Sequence, residues 1–196
     1  MSAPVRLQAS SRAQGLGASE VSAVLGLSPW QSPWDVWSRK RGLVEDSPET
    51  PTLRRGRILE SAVADWYAEE TGATLSPGPH YTAPIVGPAP WMLASPDRFA
   101  SLDGEDWLLE CKTARSRVGW GETGTDGVPA HYVAQVAWQM AVCDLDRVDV
   151  AVYFGFDEFR RYSLARDRDL EADLLAPDDV AVYFGFDEFR RYSLAR

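Results

Sequence analysis

The chain has 196 residues, enough for one domain with a sizeable core, and its 45% apolar and 25% charged residues are typical of a globular protein. The net charge of −9 argues against binding to nucleic acid through bulk positive charge, although a locally basic groove stays compatible with it. Two cysteines are too few for a disulfide framework, a four-cysteine zinc site or an iron–sulfur cluster. The sequence has neither an apolar signal region near its start nor a run of about 18 apolar residues, so we expect a cytoplasmic protein with no membrane partner.

Three helices are predicted in the first half of the chain. Ser19 is expected to cap "ASEVSAVLG", and Ser32 with Pro33 is expected to open "SPWDVWSRKRG". The strongest helical pattern is "LRRGRILESAVADWYAEETG", which should end at Gly72. Its expected core stripe consists of Leu59, Ala62, Val63 and Trp66.

Strands dominate the middle of the chain. Residues 73–90 are rich in Pro and Gly and predict a loop or an edge strand, after which "WMLAS", "RFASL" and "WLLECKT" predict strands joined by turns. A further helix, "PAHYVAQVAWQMAV", is followed by the hairpin strands "VDVAVYFG" and "FRRYSLA". This order predicts an α/β (α+β) domain with a central mixed sheet and flanking helices.

The C-terminal part contains an identical repeat. Residues 149–166, "DVAVYFGFDEFRRYSLAR", recur without change as residues 179–196. Structural repeats diverge and usually need three or more copies, so this pair indicates a recent duplication or an assembly fault. We expect residues 1–166 to form the native domain. Residues 167–196, an acidic linker that begins like an amphipathic helix plus the duplicate, should lie outside the native core.

Two charged side chains interrupt the apolar strand "WLLECKTA" of residues 107–114. Because side chains alternate between the faces of a strand, Glu110 and Lys112 share one face and Cys111 points to the other. Eighteen of the 20 basic residues are arginine, so a lysine inside a strand indicates a position where arginine would not serve. The alternative is an ordinary surface ion pair, since Glu-x-Lys alone is a weak signal.

Further polar residues are placed to join this pair. Asp97, in the turn "ASPDRF", and Glu60, on the long helix, add carboxylates, whose oxygens suit Mg²⁺ or Mn²⁺. With Glu60 included, two ions about 3.5–4 Å apart can be held, although a glutamate at that helix position is as often simply solvated. Gln135 is placed to hydrogen-bond a nucleophile or a phosphate, whereas Gln139 is equally well explained by a solvated face.

Five segments in a fixed order resemble one known family. They are "GLGASEVSAVLGLSPWQSPWDVWSRKRG", "RRGRILESAVADWYAEETG", "ASPDRF", "LLECKTA" and "HYVAQVAWQMAV", and the similarity covers about residues 12–166. This pattern resembles the YqaJ-like viral recombinase family, relatives of phage lambda exonuclease among the PD-(D/E)xK nucleases. The resemblance implies a restriction-endonuclease-like fold.

The resemblance also implies roles for individual residues. Four groups match the family's metal ligands, namely the side chains of Asp97, Glu110 and Glu60 and the main-chain carbonyl of Cys111. Lys112 matches the catalytic lysine and Gln135 the active-site glutamine. Arg12 and Ser19 look like the pair that binds the terminal 5′-phosphate, which a guanidinium and a hydroxyl at a helix start can do.

The implied activity is metal-dependent 5′ to 3′ exonuclease action on the ends of double-stranded DNA, with two Mg²⁺ or Mn²⁺ ions. The implied partners are a single-strand annealing protein of phage-type recombination and further copies of the chain in a ring-shaped trimer. An endonuclease of restriction or repair would have the same metal site, and only the pair of Arg12 and Ser19 favours the exonuclease. A catalytically inactive DNA-binding module is the non-enzymatic alternative, and the presence of every core acid disfavours it.

Basic and aromatic residues supply candidates for DNA contacts. The expected phosphate contacts are Arg54, Arg55, Arg57, Arg115 and Arg117. Trp30, Trp34 and Trp37 have the surface to stack on bases, but their near-helical spacing favours core packing instead.

Overall fold

The computed structural model describes residues 15–45, 48–79, 83–155 and 158–174. Arg12 and the duplicate at 179–196 lie outside these ranges, so what we expect of them stays a prediction. The described residues fold into a mixed β-sheet with helices on both faces, which confirms the expected fold class.

The described part of the chain forms five helices: α1 (Ala18–Val24), α2 (Pro33–Lys40), α3 (Pro51–Thr71), α4 (Ala130–Cys143) and α5 (Arg168–Leu174). As predicted, Ser32 caps α2, and α3 ends at Gly72, whose left-handed φ of 73° suits a residue without a Cβ. Within the same ranges, no helix is both long and apolar enough to cross a membrane.

The predicted cap of α1 is wrong. Gly17 is the N-cap, and the Glu20 carboxylate accepts its backbone N–H at 2.9 Å. Ser19 therefore lies inside the first turn, where its side chain is exposed. A carboxylate at this position satisfies the N–H of the N-cap residue itself, whereas a capping hydroxyl would accept an N–H inside the first turn.

Eight strands belong to two sheets in the described ranges: β1 (Leu16–Gly17), β2 (Thr74–Pro77), β3 (Ile85–Val86), β4 (Met92–Ala94), β5 (Arg98–Leu102), β6 (Glu105–Thr113), β7 (Arg147–Gly155) and β8 (Glu158–Ala165). The larger sheet has the order β2-β5-β6-β7-β8, in which β6 and β7 are parallel and the other neighbours antiparallel. The smaller sheet has the order β1-β4-β3. Strand β6 is thus central, buried between two helices.

Helix α3 covers one face of the larger sheet. Val63, Ala64 and Tyr67 pack there against Leu109 and other apolar residues. The core stripe expected from the sequence is therefore misplaced around the helix, because Ala62 is exposed and Tyr67 is completely buried.

Helix α4 covers the opposite face and also joins the smaller sheet. Val136 and Met140 pack on the larger sheet, whereas Trp138 belongs to a core shared with α1, β4 and α5. In α5, Leu174 is only 5% exposed and belongs to that core. The packed part of the chain thus extends past residue 166 to at least residue 174, and whether the remainder takes part in the fold stays a prediction.

Candidate active site

Strand β6 continues past the start of β5, and Asp97 lies at that point. The pairing of the two strands begins with Arg98 opposite Leu109. Just before it, Asp97 Oδ2 accepts the backbone N–H of Cys111 at 2.7 Å, so a carboxylate takes the place of a neighbouring strand. Because the N–H and C=O of one residue point to the same edge of a strand, the Cys111 carbonyl faces this edge too.

Glu110 is buried beneath α4 and fully hydrogen-bonded. Its Oε1 accepts from Lys112 Nζ at 2.5 Å and from Gln135 Nε2 at 2.6 Å, and its Oε2 accepts from Gln139 Nε2 at 2.8 Å. Lys112 Nζ also donates to Gln135 Oε1 at 3.2 Å. Glu110 and Lys112 therefore share one face of β6, as alternation predicts, while Cys111 packs on the α3 side.

The electrostatics of this group of charges are uneven. Burial, and after it the nearby negative charge of Glu110, raise the pKa of Asp97 well above its usual value, although Lys112 opposes the shift. Burial lowers the pKa of Lys112, but the charges of Glu110 and Asp97 outweigh this and leave it above its ordinary range. Lys112 is thus an ammonium group, and the surroundings of Asp97 disfavour its ionised form, which a further positive charge nearby would stabilise.

Glu60 reaches the site through an arginine. Its Oε1 accepts from Arg98 Nη1 at 2.8 Å, and the same Nη1 donates to the main-chain carbonyl of Asp97 at 2.6 Å. Glu60 also contributes to the raised pKa of Asp97. The helical glutamate is therefore not simply solvated, since it is tied to the turn that carries Asp97.

A series of aromatic rings borders Lys112. Its Nζ lies 4.9 Å from the centre of the Tyr132 ring. Tyr132 contacts His131, with ring centres 4.1 Å apart, and Trp30 approaches both rings, at 4.9 Å from His131 and 6.1 Å from Tyr132. Burial and then the charge of Lys112 lower the pKa of His131, so this imidazole is neutral at pH 7.

The described residues expected to contact DNA phosphates are exposed except for Arg55, which is half-buried. Ser19 follows β1, which runs parallel to β4, and β4 leads directly towards Asp97. A Cβ on Gly56 would lie 3.8 Å from the Thr113 hydroxyl, so the first turns of α3, with the predicted Arg54, Arg55 and Arg57, pass close to the end of β6. Among these five candidates, Arg57 is paired with Glu49 and Arg117 with Glu158.

Two further residues belong to the site. The sequence left Gln139 open between the site and a solvated face, and the structure decides for the site, since Gln139 is 1% exposed and holds Glu110. Its spacing of four residues from Gln135 puts both on one helix face, which agrees with this placement. Arg98 carried no comparable signal, because its role depends on α3 lying beside the turn.

Near Asp97, Lys112 and Glu110, three polar atoms of the described ranges are buried without a hydrogen-bond partner. They are Ser95 Oγ, His131 Nε2 and Gln139 Oε1. Buried polar atoms in folded proteins are nearly always satisfied. Unsatisfied atoms beside Asp97, Lys112 and Glu110 are what a site for a polar ligand provides.

The donor chemistry fits a hard divalent cation. Two carboxylates and a main-chain carbonyl lie along the end of β6, and a cation beside Asp97 would stabilise the ionised form that burial and then the charge of Glu110 disfavour. In the described residues, no three His, Cys, Asp or Glu side chains are arranged as a ready cluster that could hold a metal ion. Glu110 is engaged by its amide and ammonium donors and Glu60 by Arg98, so ion binding requires these carboxylates to exchange partners.

Comparison with solved structures identifies similar folds. LHK-Exo, an alkaline exonuclease from Laribacter hongkongensis, is 19% identical with a TM-score of 0.67, covering 93% of this chain and 91% of that one. The complex of LHK-Exo with dAMP gives 19% identity and a TM-score of 0.68, with 94% and 91% covered. A phage-related exonuclease from Haemophilus somnus 129PT is 10% identical with a TM-score of 0.64, covering 93% of this chain and 96% of the other. At such identities the likeness shows a shared fold.

Sequence relatives identify the family. Protein YqaJ of Bacillus subtilis (strain 168) is 29% identical over 168 residues, which are 81% of this chain and 49% of the relative. The chain therefore spans about half the length of that curated relative. The model of the YqaJ-like viral recombinase domain matches residues 9–146, which is well over half of the chain. This chain belongs to the YqaJ-like viral recombinase domain family.

Proposed function

We propose that this chain is a divalent-metal-dependent exonuclease that hydrolyses double-stranded DNA from its 5′ ends. One observation carries the proposal: Asp97, Glu110 and Lys112 lie together at the C-terminal part of β6, where Glu110 is buried and oriented by two glutamines of α4. A surface ion pair would need neither the burial of Glu110 nor its three hydrogen-bond donors.

Each residue of the candidate site has a defined part in this chemistry. Asp97, Glu110, the Cys111 carbonyl and Glu60 are the oxygen ligands that would hold the metal. Bound Mg²⁺ or Mn²⁺ supplies polarisation of the scissile phosphate and acidification of the attacking water. Lys112 places an ammonium group beside the ligands, where it stabilises negative charge on phosphoryl oxygens and orients the water.

Gln135 and Gln139 position the reacting groups. Gln135 bonds both Glu110 and Lys112, so it fixes the separation of ligand and ammonium. Gln139 holds the second Glu110 oxygen. Charged side chains held in this way lose little freedom when the substrate binds, which favours reaction.

The 5′ polarity rests on Arg12 and Ser19, which we propose to bind the terminal phosphate. The arginines around the start of α3 would contact the DNA backbone. Action on recombination intermediates with a single-strand annealing protein, and assembly as a ring-shaped trimer, stay predictions from the family.

The proposal is tested on end-labelled linear duplexes that carry either a 5′-phosphate or a 5′-hydroxyl, with closed circular DNA alongside. Wild type, Asp97→Asn and Lys112→Met are compared with Mg²⁺, Mn²⁺ or EDTA. Glu105→Gln, which changes an exposed glutamate on the same strand, is the matched control. Thermal melting confirms that each variant is folded.

We expect Mg²⁺- or Mn²⁺-dependent loss of linear DNA only, faster from 5′-phosphate ends, in wild type and Glu105→Gln. Both site variants should lose activity by about a hundredfold or more. Nicking of the circular DNA would show that the chain is an endonuclease and not an exonuclease. If folded wild type bound DNA without cleaving it, the chain would be the catalytically inactive DNA-binding module.

A further inference from the structure

Trp30 is an exposed aromatic side chain at the border of the proposed site. It is 67% exposed, which corrects the expectation that it packs in the core. Single exposed aromatic residues are common on proteins, but this one lies against two residues at the N-terminal end of α4, His131 and Tyr132. Its surroundings, rather than its exposure alone, therefore call for an explanation.

The loop that carries Trp30 is held by hydrogen bonds. Ser28 Oγ accepts the backbone N–H groups of Trp30 and Gln31, each at 3.2 Å. Ser32 then caps α2 directly after the loop. The indole is thus presented from a short, fixed segment between α1 and α2, and little order has to be gained when it binds something.

The ring contacts lead from the indole to Lys112. The Trp30 ring centre lies 6.1 Å from that of Tyr132, which lies 4.9 Å from Lys112 Nζ, so indole and ammonium are within about 11 Å of each other. His131 meets the indole at an interplanar angle of 87°, an edge contact. Since stacked nucleotides are about 3.4 Å apart along one strand, this distance corresponds to about three bases.

We propose that Trp30 stacks on a nucleobase within three nucleotides of the scissile phosphate and so positions the DNA end for Lys112. This inference rests on the proposed nuclease function. Aromatic rings bind bases of any sequence through their π-faces, which suits an enzyme that must accept every end. His131, neutral and wedged between the two rings, supports the indole without adding charge.

Trp34 provides the matched control. It is 64% exposed, close to the value for Trp30, and lies four residues further along the chain. Its ring is stacked on Trp37 of the same helix at 4.8 Å, so its environment is that of α2 rather than that of α4.

The test measures binding of 5′-phosphorylated duplexes by fluorescence anisotropy in EDTA, where cleavage does not interfere. Wild type, Trp30→Ala, Trp30→Phe and Trp34→Ala are titrated against normal ends and against ends with an abasic residue at the first, second or third position. Trp30→Ala should raise Kd about tenfold, Trp30→Phe should restore most of the affinity, and Trp34→Ala should change it less than twofold. One abasic position should weaken wild type about tenfold and leave Trp30→Ala unchanged.

The outcomes separate the two proposals. Equal losses in Trp30→Ala and Trp34→Ala, or an abasic effect that persists undiminished in Trp30→Ala, would overturn the stacking role. Wild-type cleavage, followed in parallel with Mg²⁺, reports on the nuclease function independently, because the anisotropy measurement needs no catalysis. All variants should melt at the wild-type temperature, since both indoles are mostly exposed.

Discussion

Asp97 is a residue whose ionisation the folded chain opposes. Burial and the charge of Glu110 raise its pKa, so the folded state binds its proton more tightly than the unfolded state does. At neutral pH this difference lowers the free energy of unfolding. Glu110, by contrast, is held by Lys112 and two amides. A cation bound beside Asp97 would remove this loss of stability, because it would stabilise the ionised carboxyl group.

We therefore predict that Asp97→Asn is more stable than wild type in EDTA at pH 7, by about 1 kcal/mol or more, while cleavage is lost. The asparagine Oδ1 can still accept the Cys111 N–H. The gain should vanish below about pH 4, where the aspartate is protonated in both states. Urea unfolding at several pH values measures it.

Addition of Mg²⁺ supplies the control for this variant. It should raise the melting temperature of wild type and leave that of Asp97→Asn unchanged, because binding to the folded state alone stabilises it. If Asp97→Asn were less stable than wild type in EDTA, the hydrogen bond of the carboxylate to the Cys111 N–H would outweigh the cost of burying this charge near Glu110.

At the scale of elements, a buried polar network attaches α3 to the larger sheet. Tyr67 donates its hydroxyl to Asp149 Oδ2 at 2.5 Å and accepts from Trp107 Nε1 at 2.9 Å. Arg147 binds the same carboxylate and lies 4.2 Å from the Trp107 ring centre. Every polar group of the network thus has a partner, so the network fixes how α3 is placed behind β6.

Tyr67→Phe should lower the free energy of unfolding by about 1–3 kcal/mol, because the indole N–H is left without an acceptor and Asp149 loses a donor. Tyr153→Phe removes a hydroxyl from a half-buried position on β7 and should cost less. Urea denaturation compares the two. Equal effects would contradict the structural importance of the network.

A second element, α5, is attached through an ion pair. Arg166 binds Glu171 with Nε at 2.7 Å and Nη2 at 2.9 Å. The hydrogen bonds from Arg166 hold the pKa of Glu171 below its usual value. A carboxyl whose pKa is lowered by folding stabilises the protein above its unfolded pKa, and this stability is lost as the pH falls through the folded value.

Glu171→Gln should therefore cost about 1–2 kcal/mol at pH 7, and its difference from wild type should shrink as the pH falls below about 4.5. Asp169→Asn, also in the first turn of α5 and exposed, should show a smaller and flatter effect. Unfolding in urea from pH 7 to pH 3 measures both. A difference that grew towards low pH would contradict the assigned direction of the shift.

At the scale of the whole molecule, α4 connects the parts. One side of the helix holds Glu110 and packs on the larger sheet, and another side packs with α1, α5 and the smaller sheet. The candidate site therefore lies where two cores meet, which explains why Glu110 is buried.

This arrangement predicts where the chain can be shortened. A chain that ends at residue 174 should keep the melting temperature and cleavage of the full chain, because α5 and its contacts remain. A chain that ends at residue 166 should melt lower, since it loses buried Leu174 and the carboxylate of Glu171. If the chain that ends at residue 174 failed to fold, the segment after residue 174 would contribute to the fold.

Local chemistry was sufficient for much of this molecule. Strand alternation placed Glu110 and Lys112 on one face, and cap and stop residues located α2 and the end of α3. The order of motifs predicted the mixed sheet with helices on both sides. The faces of β6 and the helix ends depend on neighbours along the chain, and the fold class follows from the order of the elements, so the sequence by itself determined them.

The rest depended on which faces are covered. Helical periodicity shows that Gln135 and Gln139 share a face, but only the position of α4 over β6 turns that face towards Glu110. The stripe of α3 was misjudged for the same reason, because rotating a helix by one residue, roughly 100°, changes the buried set. Trp30 was misjudged because it lies in the loop before α2 and not on a packed helix face. Contacts between residues distant in sequence, such as Glu60 with Arg98, arise only when the elements pack, and so the tertiary structure alone decided them.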